Sequence, residues 1–232
     1  MKILLIAGHG AGDPGATSVI GGVSYWEAEE TRAVVADLAE DLRGAAEVRV
    51  YDTSRNAYTD YQNGMLPSLA QFSNYDYVLE IHFNSFRPDS GDGKVKGSEI
   101  YVTPQESGIQ VELDILRHLA AIGFTDRGVK RRSNLAVINQ ARRAGVSAAL
   151  LEVCFLDDAD DMRLYTADRG AIARAIAAGI REGFGLEERE MTRAEARAII
   201  RDKAGLEEKT LNFLDSYIWR DDLMVKLARA MK

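Results

Sequence analysis

The chain has 232 residues, a formal net charge of -7, 46% hydrophobic residues and 28% charged residues. This length suits one sizeable domain with a small appendage, and the composition is that of a soluble globular protein. The negative charge argues against unspecific nucleic-acid binding, which needs a basic surface. The single cysteine, Cys154, excludes an internal disulfide.

The N-terminal segment contains the apolar run Ile3–Ala7. The run is too short for the core of a signal peptide and far too short to span a membrane. It predicts a buried first strand, no membrane insertion, and synthesis in the cytoplasm.

Short runs rich in Val, Ile and Leu alternate with helical patterns along most of the chain. The predicted strands are Lys2–Ala7, Val48–Tyr51, Tyr77–Phe83, Ser98–Val102, Leu135–Ile138 and Ala148–Val153. The predicted helices are Glu27–Arg43, Glu106–Ala121 and Arg169–Phe184. This alternation predicts an α/β fold, with a twisted, mostly parallel sheet flanked by helices on both faces.

A first domain is predicted at residues 1–186, a charged linker at residues 187–190, and a small helical domain at residues 191–232. Thr192 and Glu195 form a capping-box pattern, and apolar residues then recur at helical spacing. Gly205 is a candidate helix stop. We expect two or three short helices, whose small core favours docking or self-association into a homo-oligomer.

Two of the three histidines, His9 and His82, each stand at the end of a predicted strand. The carboxyl ends of parallel strands line the functional crevice of an open sheet, and neutral histidine is a preferred zinc ligand. These two residues therefore indicate a metal site, although each could instead be a hydrogen-bonded loop histidine. His118 lies in a helical pattern and is expected to be structural or exposed.

A catalytic zinc site usually has three protein ligands, and spacing leaves the third ligand open. The candidates are Glu27, Glu29, Glu30 and Glu80. Ser24 and Glu27 also form a capping-box pattern, which would give Glu27 a purely structural role. Glu80 shares a strand face with His82, so it could bind the metal or orient the imidazole.

Glu152 ends the apolar run Ser147–Leu151. A buried carboxylate is unfavourable unless a partner or a function compensates for its desolvation. Beside a metal it would suit a general base for an attacking water, and the alternative is a buried, hydrogen-bonded structural residue. Cys154 is expected to be a core residue. The glycine-rich loop Gly8–Gly15 matches neither the dinucleotide pattern nor the P-loop, so no nucleotide site is expected.

Five short segments occur in an order that carries a family resemblance. They are Ala7–Gly10, Glu27 with Thr31, Arg32, Val34 and Val35 downstream, Glu80–Asn84, Lys96–Glu99 and Leu151–Val153. With these segments the chain resembles the zinc-dependent N-acetylmuramoyl-L-alanine amidases of the Amidase_3 type, particularly the catalytic domains of phage endolysins. The resemblance covers roughly residues 2–185.

The resemblance implies that His9, Glu27 and His82 hold a zinc ion (Zn2+) and that Glu152 is the catalytic carboxylate. Many members carry a small polar residue in place of Glu80, which leaves its role open. Glu80 and Asn84 are candidates for supporting the metal ligands. The implied reaction is hydrolysis of the amide bond between N-acetylmuramic acid and L-alanine in peptidoglycan. The alternatives are another zinc-dependent hydrolase (a peptidase or deacetylase) and a non-catalytic wall-binding module.

Further expectations concern partners and location. Peptidoglycan is the expected partner, and the C-terminal helices are expected to bind the wall, to self-associate or to cover the catalytic domain. The protein would reach the wall from the cytoplasm through a phage holin, and a bacterial autolysin with another route is the alternative. The basic run Arg127–Arg132 is expected to be a solvated loop, and contact with an acidic stem peptide is the alternative.

Overall fold

The computed structural model describes residues 1–187, 192–217 and 220–231. These residues form two compact units, Met1–Glu187 and the described residues that follow it. The predicted linker lies outside the described residues except for Glu187. Within the described ranges, every helix is too short or too polar to cross a membrane.

The first unit contains both strands and helices. Its strands are β1 (Lys2–Ala7), β2 (Thr17–Ile20), β3 (Val23–Trp26), β4 (Glu47–Val50), β5 (Tyr77–Asn84), β6 (Ser98–Val102), β7 (Asp126–Arg131) and β8 (Ser147–Phe155). Its helices are α1 (Glu27–Asp41), α2 (Ala57–Gln62), α3 (Leu66–Ala70), α4 (Gln110–Ala121), α5 (Ala136–Arg143), α6 (Ala159–Ala167) and α7 (Arg169–Phe184), with a 3-10 turn at Phe72–Asn74.

Six strands form one sheet in the order β4-β1-β5-β8-β6-β7. Strands β4, β1, β5 and β8 are parallel, β6 runs antiparallel to β8, and β7 is parallel to β6. The predicted α/β fold with a mostly parallel sheet is therefore confirmed.

Helices cover both faces of this sheet. Ile3 and Leu5 of β1 belong to the apolar core beneath α1, α4 and α7. Leu4 and Ile6 point the opposite way, into the core shared with α2, α3 and α5. Because side chains alternate along a strand, a strand that is covered on both faces must be apolar throughout, which explains the unbroken run in β1.

Two predictions in the second half of this unit are wrong. Leu135–Ile138 is not a strand, because α5 begins at Ala136 and packs Val137 and Ile138 against the sheet. A short apolar run fits a strand or a helix equally well, and only its tertiary contacts decide. Arg127–Arg132 is not a loop, because these residues form the edge strand β7 and the turn that follows it. A basic edge resists pairing with another chain, which reconciles the charge with a strand.

The predicted helix bounds were also too wide, since α4 begins at Gln110 and α1 ends at Asp41. The hairpin of β2 and β3 was not predicted. Gly21 and Gly22 form its two-residue turn, both with positive φ, which is the conformation that a tight hairpin requires. This hairpin leads directly into α1 and therefore places the first residue of that helix.

The second unit contains α8 (Arg193–Ala204), α9 (Glu208–Asp215) and α10 (Arg220–Ala230). The predicted capping box is confirmed, because Glu195 N–H donates to Thr192 and the Glu195 carboxylate accepts from the Thr192 N–H. Gly205 ends α8 in the left-handed conformation, as predicted. The core of this unit is small and consists of Ala196, Ile200, Leu211, Met224 and Ala228.

Candidate metal centre

The carboxyl ends of two adjacent parallel strands bring His9 and His82 together. Ala7 of β1 pairs with Ile81 of β5, and each histidine follows its strand residue closely. The two imidazole rings meet edge to face, with centroids 4.9 Å apart. The predicted proximity of these side chains is thus observed.

Glu27, the first residue of α1, places its buried carboxylate between the two rings. Its Oε1 lies 2.9 Å from His82 Nδ1, and its Oε2 lies 3.2 Å from His9 Nε2. One ligand atom from each of the three residues lies within 4.8 Å of the others. The capping-box role considered for Glu27 is wrong, because α1 has Trp26 as its N-cap and no side-chain cap. Backbone N–H groups of Ala16 and Phe83 instead donate to this carboxylate and hold it in place.

A second layer of carboxylates orients the imidazoles. Asp13 Oδ2 lies 2.9 Å from His9 Nδ1, which directs the opposite ring nitrogen toward Glu27. Glu80 Oε1 lies 3.2 Å from His82 Nε2. Carboxylates that engage the second nitrogen of a histidine are common around metal sites, where they fix the tautomer and the ring orientation.

The electrostatics of this cluster favour a bound cation. Burial opposes ionisation of Glu27, but hydrogen bonds with His82 and His9 outweigh it and hold the pKa of the carboxyl well below its ordinary value. Burial would lower the pKa of His82, but its contacts with Glu27 and Glu80 raise it well above the ordinary value. The site thus concentrates carboxylate charge around two imidazoles, which is an environment suited to a metal ion.

Two glycines of the loop after β1, Gly8 and Gly10, are required by close packing. A Cβ on Gly8 would lie 2.4 Å from the ring of His82, and a Cβ on Gly10 would lie 1.9 Å from the guanidinium of Arg32. His9 itself has φ of 61°, a conformation that is uncommon for a residue other than glycine. Gly8 and Gly10 therefore reflect the close packing of this loop against His82 and Arg32.

Glu152 of β8 lies beside His82, its register partner on β5. Its Oε2 is buried, and no hydrogen-bond partner for it is found among the described residues. Burial raises the pKa of this carboxyl to about 7, and the carboxylates of Glu27, Glu99 and Glu80 add to the increase against the opposing effect of His82. A carboxyl that titrates near neutral pH is suited to accept and release a proton.

Asn84 ends β5, and its side chain contacts Glu99. Its side-chain N–H donates to Glu99 Oε1 at 3.0 Å, so it supports the strand beyond Glu152. Glu99 also accepts hydrogen bonds from Tyr101, Arg127 and Lys130.

The other candidates lie away from this cluster. Glu30 accepts hydrogen bonds from Tyr165 and Arg169, and His118 contacts Glu182 at the surface. Glu29 lies in the first turn of α1 but is not among the three clustered ligand residues. Cys154 is fully buried in the core, as expected.

Three supporting residues, Asp13, Asn56 and Arg32, were not given this role from the sequence. Asn56 donates from its side-chain nitrogen to Asp13 and to the carbonyl of Gly10. Arg32 donates to five backbone carbonyls, those of Gly8, His9, Ala28, Thr53 and Arg55. Asp13, four residues after His9, was a readable signal, whereas Asn56 is remote in sequence.

Two cavities lie in this part of the first unit, and the smaller one is lined by residues of the candidate centre. One of about 200 Å³ is lined by His9, Asp13, Glu80 and His82 together with the start of α5. The other, of about 810 Å³, lies between the β2–β3 hairpin and residues 85–90, and Trp26 and Phe86 line it. This larger groove has room for a polymer segment next to the residue that precedes Glu27.

The sequence and the fold of the chain are similar to those of known proteins. A family model described as N-acetylmuramoyl-L-alanine amidase matches residues 3–182. The solved catalytic domain of CwlV, an N-acetylmuramoyl-L-alanine amidase from Bacillus (Paenibacillus) polymyxa, is similar with a TM-score of 0.62 and 26% identity, covering 80% of this chain and 99% of that one.

Two curated relatives are similar at the level of sequence. A probable autolysin from Staphylococcus aureus is 25% identical over 77% of this chain, and a protein from Clostridium perfringens described as uncharacterized is 27% identical over 78% of it. The match spans only 38% of the first protein and 52% of the second.

Proposed function

The chain belongs to the N-acetylmuramoyl-L-alanine amidase family Amidase_3, and we propose that it hydrolyses the amide bond between N-acetylmuramic acid and L-alanine in peptidoglycan, using a zinc ion. One observation carries the proposal. His9, Glu27 and His82 converge within 4.8 Å, and Glu152 lies on the neighbouring strand with an unpaired carboxylate oxygen.

The donor set fits zinc. Two imidazoles and one carboxylate form a common ligand set of catalytic zinc sites, whereas calcium and magnesium prefer oxygen ligands throughout. Asp13 and Glu80 supply the outer contacts that such ligands usually have. A zinc ion bound here would polarise the scissile carbonyl and lower the pKa of a water molecule.

Glu152 is the proposed general base. Its free Oε2 accepts the proton of the attacking water and then donates that proton to the departing nitrogen of L-alanine. Burial raises the pKa of the Glu152 carboxyl to about 7, so this group can both accept and release a proton at neutral pH. Glu27 stays ionised because of its hydrogen bonds with both imidazoles, and it is therefore poorly suited to the same role.

Digestion of purified peptidoglycan tests the proposed reaction. We expect mass spectrometry to find peptides with a free N-terminal L-alanine and glycan chains that remain intact. Removal of the metal with a chelator is expected to slow this release at least about 100-fold, because charge stabilisation at the carbonyl is lost. Zinc should restore the activity.

Other outcomes of the same digest distinguish the alternatives. Cleavage inside the stem peptide would indicate a peptidase, and loss of acetate from the sugars would indicate a deacetylase. Binding to the wall without any release would favour a non-catalytic module. Each of these results would contradict the amidase proposal.

The variant Asp13→Asn tests the outer contact of His9. Asp13 accepts from His9 Nδ1 with Oδ2 and from the Gly15 N–H with Oδ1, whereas Asn has one acceptor oxygen and no negative charge. The contact with His9 is therefore weakened, and we expect the zinc affinity to fall about 10- to 100-fold. Competition with a chromogenic chelator measures this change. Asp52→Asn is the matched control, because Asp52 only caps an exposed turn through Ser54. Equal zinc affinities of the two variants would exclude the proposed role of Asp13.

Two predictions from the sequence are kept as proposals. The C-terminal helices are proposed to bind the wall or to self-associate, and release through a phage holin is proposed as the route to the wall. Wall binding and solution mass after deletion of residues 191–232 would test the first.

A further inference from the structure

A row of charged side chains extends from the candidate metal centre to the edge of the sheet. His82, Glu152 and Glu99 are register partners across β5, β8 and β6. Because directly paired residues point to the same face of a sheet, these three side chains lie in line. Arg127 and Lys130 of the edge strand β7 continue the row, since both bind Glu99 Oε2.

Glu99 anchors these cations. It is only 2% exposed, and it also accepts a hydrogen bond from the Tyr101 hydroxyl at 2.5 Å. Burial would raise its pKa, but hydrogen bonds from Lys130, Tyr101 and Arg127 lower the pKa to about 2. Glu99 is therefore a fixed negative charge that holds Arg127 and Lys130 in place.

The cluster has more positive charge than Glu99 neutralises. Arg132 stacks over the Tyr101 ring, with its guanidinium carbon 4.5 Å from the ring centroid. Within the described ranges, no carboxylate lies at ion-pair distance from Arg132, and its side chain is exposed. Arg127, Lys130 and Arg132 thus outnumber Glu99, and an excess of positive charge persists even when Glu152 is ionised.

We propose that Arg132, supported by Lys130 and Arg127, binds a carboxylate of the peptidoglycan stem peptide on the leaving side of the scissile amide. This inference rests on the proposed amidase function and deepens it by naming the part of the substrate that this surface recognises. A planar guanidinium held against an aromatic ring is a suitable partner for a carboxylate, because it can donate two parallel hydrogen bonds.

The distances agree with the length of a stem peptide. Adjacent strands are about 4.8 Å apart, so β7, which ends one residue before Arg132, lies about 10 Å from β8, which carries Glu152. An extended peptide advances about 3.3 to 3.6 Å per residue. A peptide that leaves the metal centre along this row would bring its second or third residue to the basic cluster.

The test compares two samples of the same soluble muropeptides, made by muramidase digestion of purified walls. The carboxylates of one sample are converted to amides with carbodiimide and ammonium. We expect the wild type to release peptide from the acidic sample with kcat/KM about tenfold higher than from the amidated one, near the lower end of what a hydrogen bond to a charged group contributes. The difference should lie in KM, because a group remote from the reacting atoms contributes equally to ground-state and transition-state binding.

Variants of Arg132 test whether this residue is responsible for the preference for acidic muropeptides. Arg132→Gln is expected to reduce the preference to below about twofold with kcat unchanged, and Arg132→Lys should retain most of it. Arg143→Gln is the matched control, because Arg143 is equally exposed but lies at the far end of α5. Substitution of Arg127 or Lys130 is less informative, because it would remove one of the two cations that compensate the charge of the buried Glu99.

The outcomes separate failure of the carboxylate site from failure of the amidase function. Equal kcat/KM of the wild type on the two samples, or an unchanged preference in Arg132→Gln, would refute the carboxylate site while leaving the amidase function intact. Release of no peptide from either sample would instead contradict the proposed function.

Discussion

Replacement of Glu152 by Gln is expected to lower kcat about 1,000-fold, within the range that general acid–base catalysis contributes. The amide has nearly the same shape but can neither accept the proton of the attacking water nor deliver it to the leaving nitrogen. Glu152 is not among the three clustered ligand residues, so zinc binding should be unchanged. Rates of peptide release and metal analysis of the same sample measure both expectations.

Glu112→Gln is the matched control, because Glu112 is also buried but contacts Tyr77 at the first turn of α4, outside the candidate centre. This control should retain near wild-type kcat. Substantial turnover by a folded, zinc-loaded Glu152→Gln variant would rule out the proposed base and would point to another proton acceptor.

Without metal, the Glu152→Gln variant should be more stable than the wild type at alkaline pH. The pKa of Glu152 is raised from 4.5 to about 7 on folding, mainly by burial. A raised carboxyl pKa favours the folded state when the group is protonated, so the stabilisation it gives declines as the pH rises from about 4.5 to 7. Gln stays neutral throughout and avoids this loss. The melting temperature at pH 8 should therefore be higher than that of the metal-free wild type.

Replacement of His9 by Ala is expected to remove zinc from the protein. Two ligands would remain, whereas a catalytic zinc site normally has three. Under competition with a chelator we therefore expect below about 0.1 zinc per chain and at least about a 100-fold loss of activity. Metal analysis after gel filtration measures the stoichiometry. Ala adopts the positive φ of this position less readily than His does, so the fold of the variant is checked by circular dichroism alongside the metal analysis.

His118→Ala is the natural control for this experiment. His118 is the histidine outside the cluster and contacts Glu182 at the surface. It should leave both zinc content and turnover unchanged. Zinc bound at one equivalent by a folded His9→Ala variant would show that the ligand set is different from the one proposed.

Several features of the fold could be predicted because they depend on local patterns. The unbroken apolar runs of β1 and β8 predicted strands buried on both faces, and the capping box of Thr192 and Glu195 marked the start of α8. The errors fell where a pattern was ambiguous. Val137 and Ile138 fit a strand or a helix, and the basic run at Arg127 gave no apolar alternation because it lies on an edge strand.

The sequence by itself determined which chemistry was available. Histidines at two strand ends, carboxylates within reach of them and a glycine-rich loop were all readable from residue types and spacing, and the family resemblance selected one carboxylate among the candidates. Residue types and spacing alone could not distinguish a metal ligand from a helix cap at Glu27, because both roles use the same residue at the same spacing.

Only the tertiary structure decided which of these groups meet. Glu27 reaches both imidazoles because the β2–β3 hairpin places the start of α1 beside the ends of β1 and β5. The edge strand β7 similarly brings its cations to Glu99 from about 30 residues away. Such contacts depend on how distant segments pair and pack, and the residues on either side of each position do not contain that information.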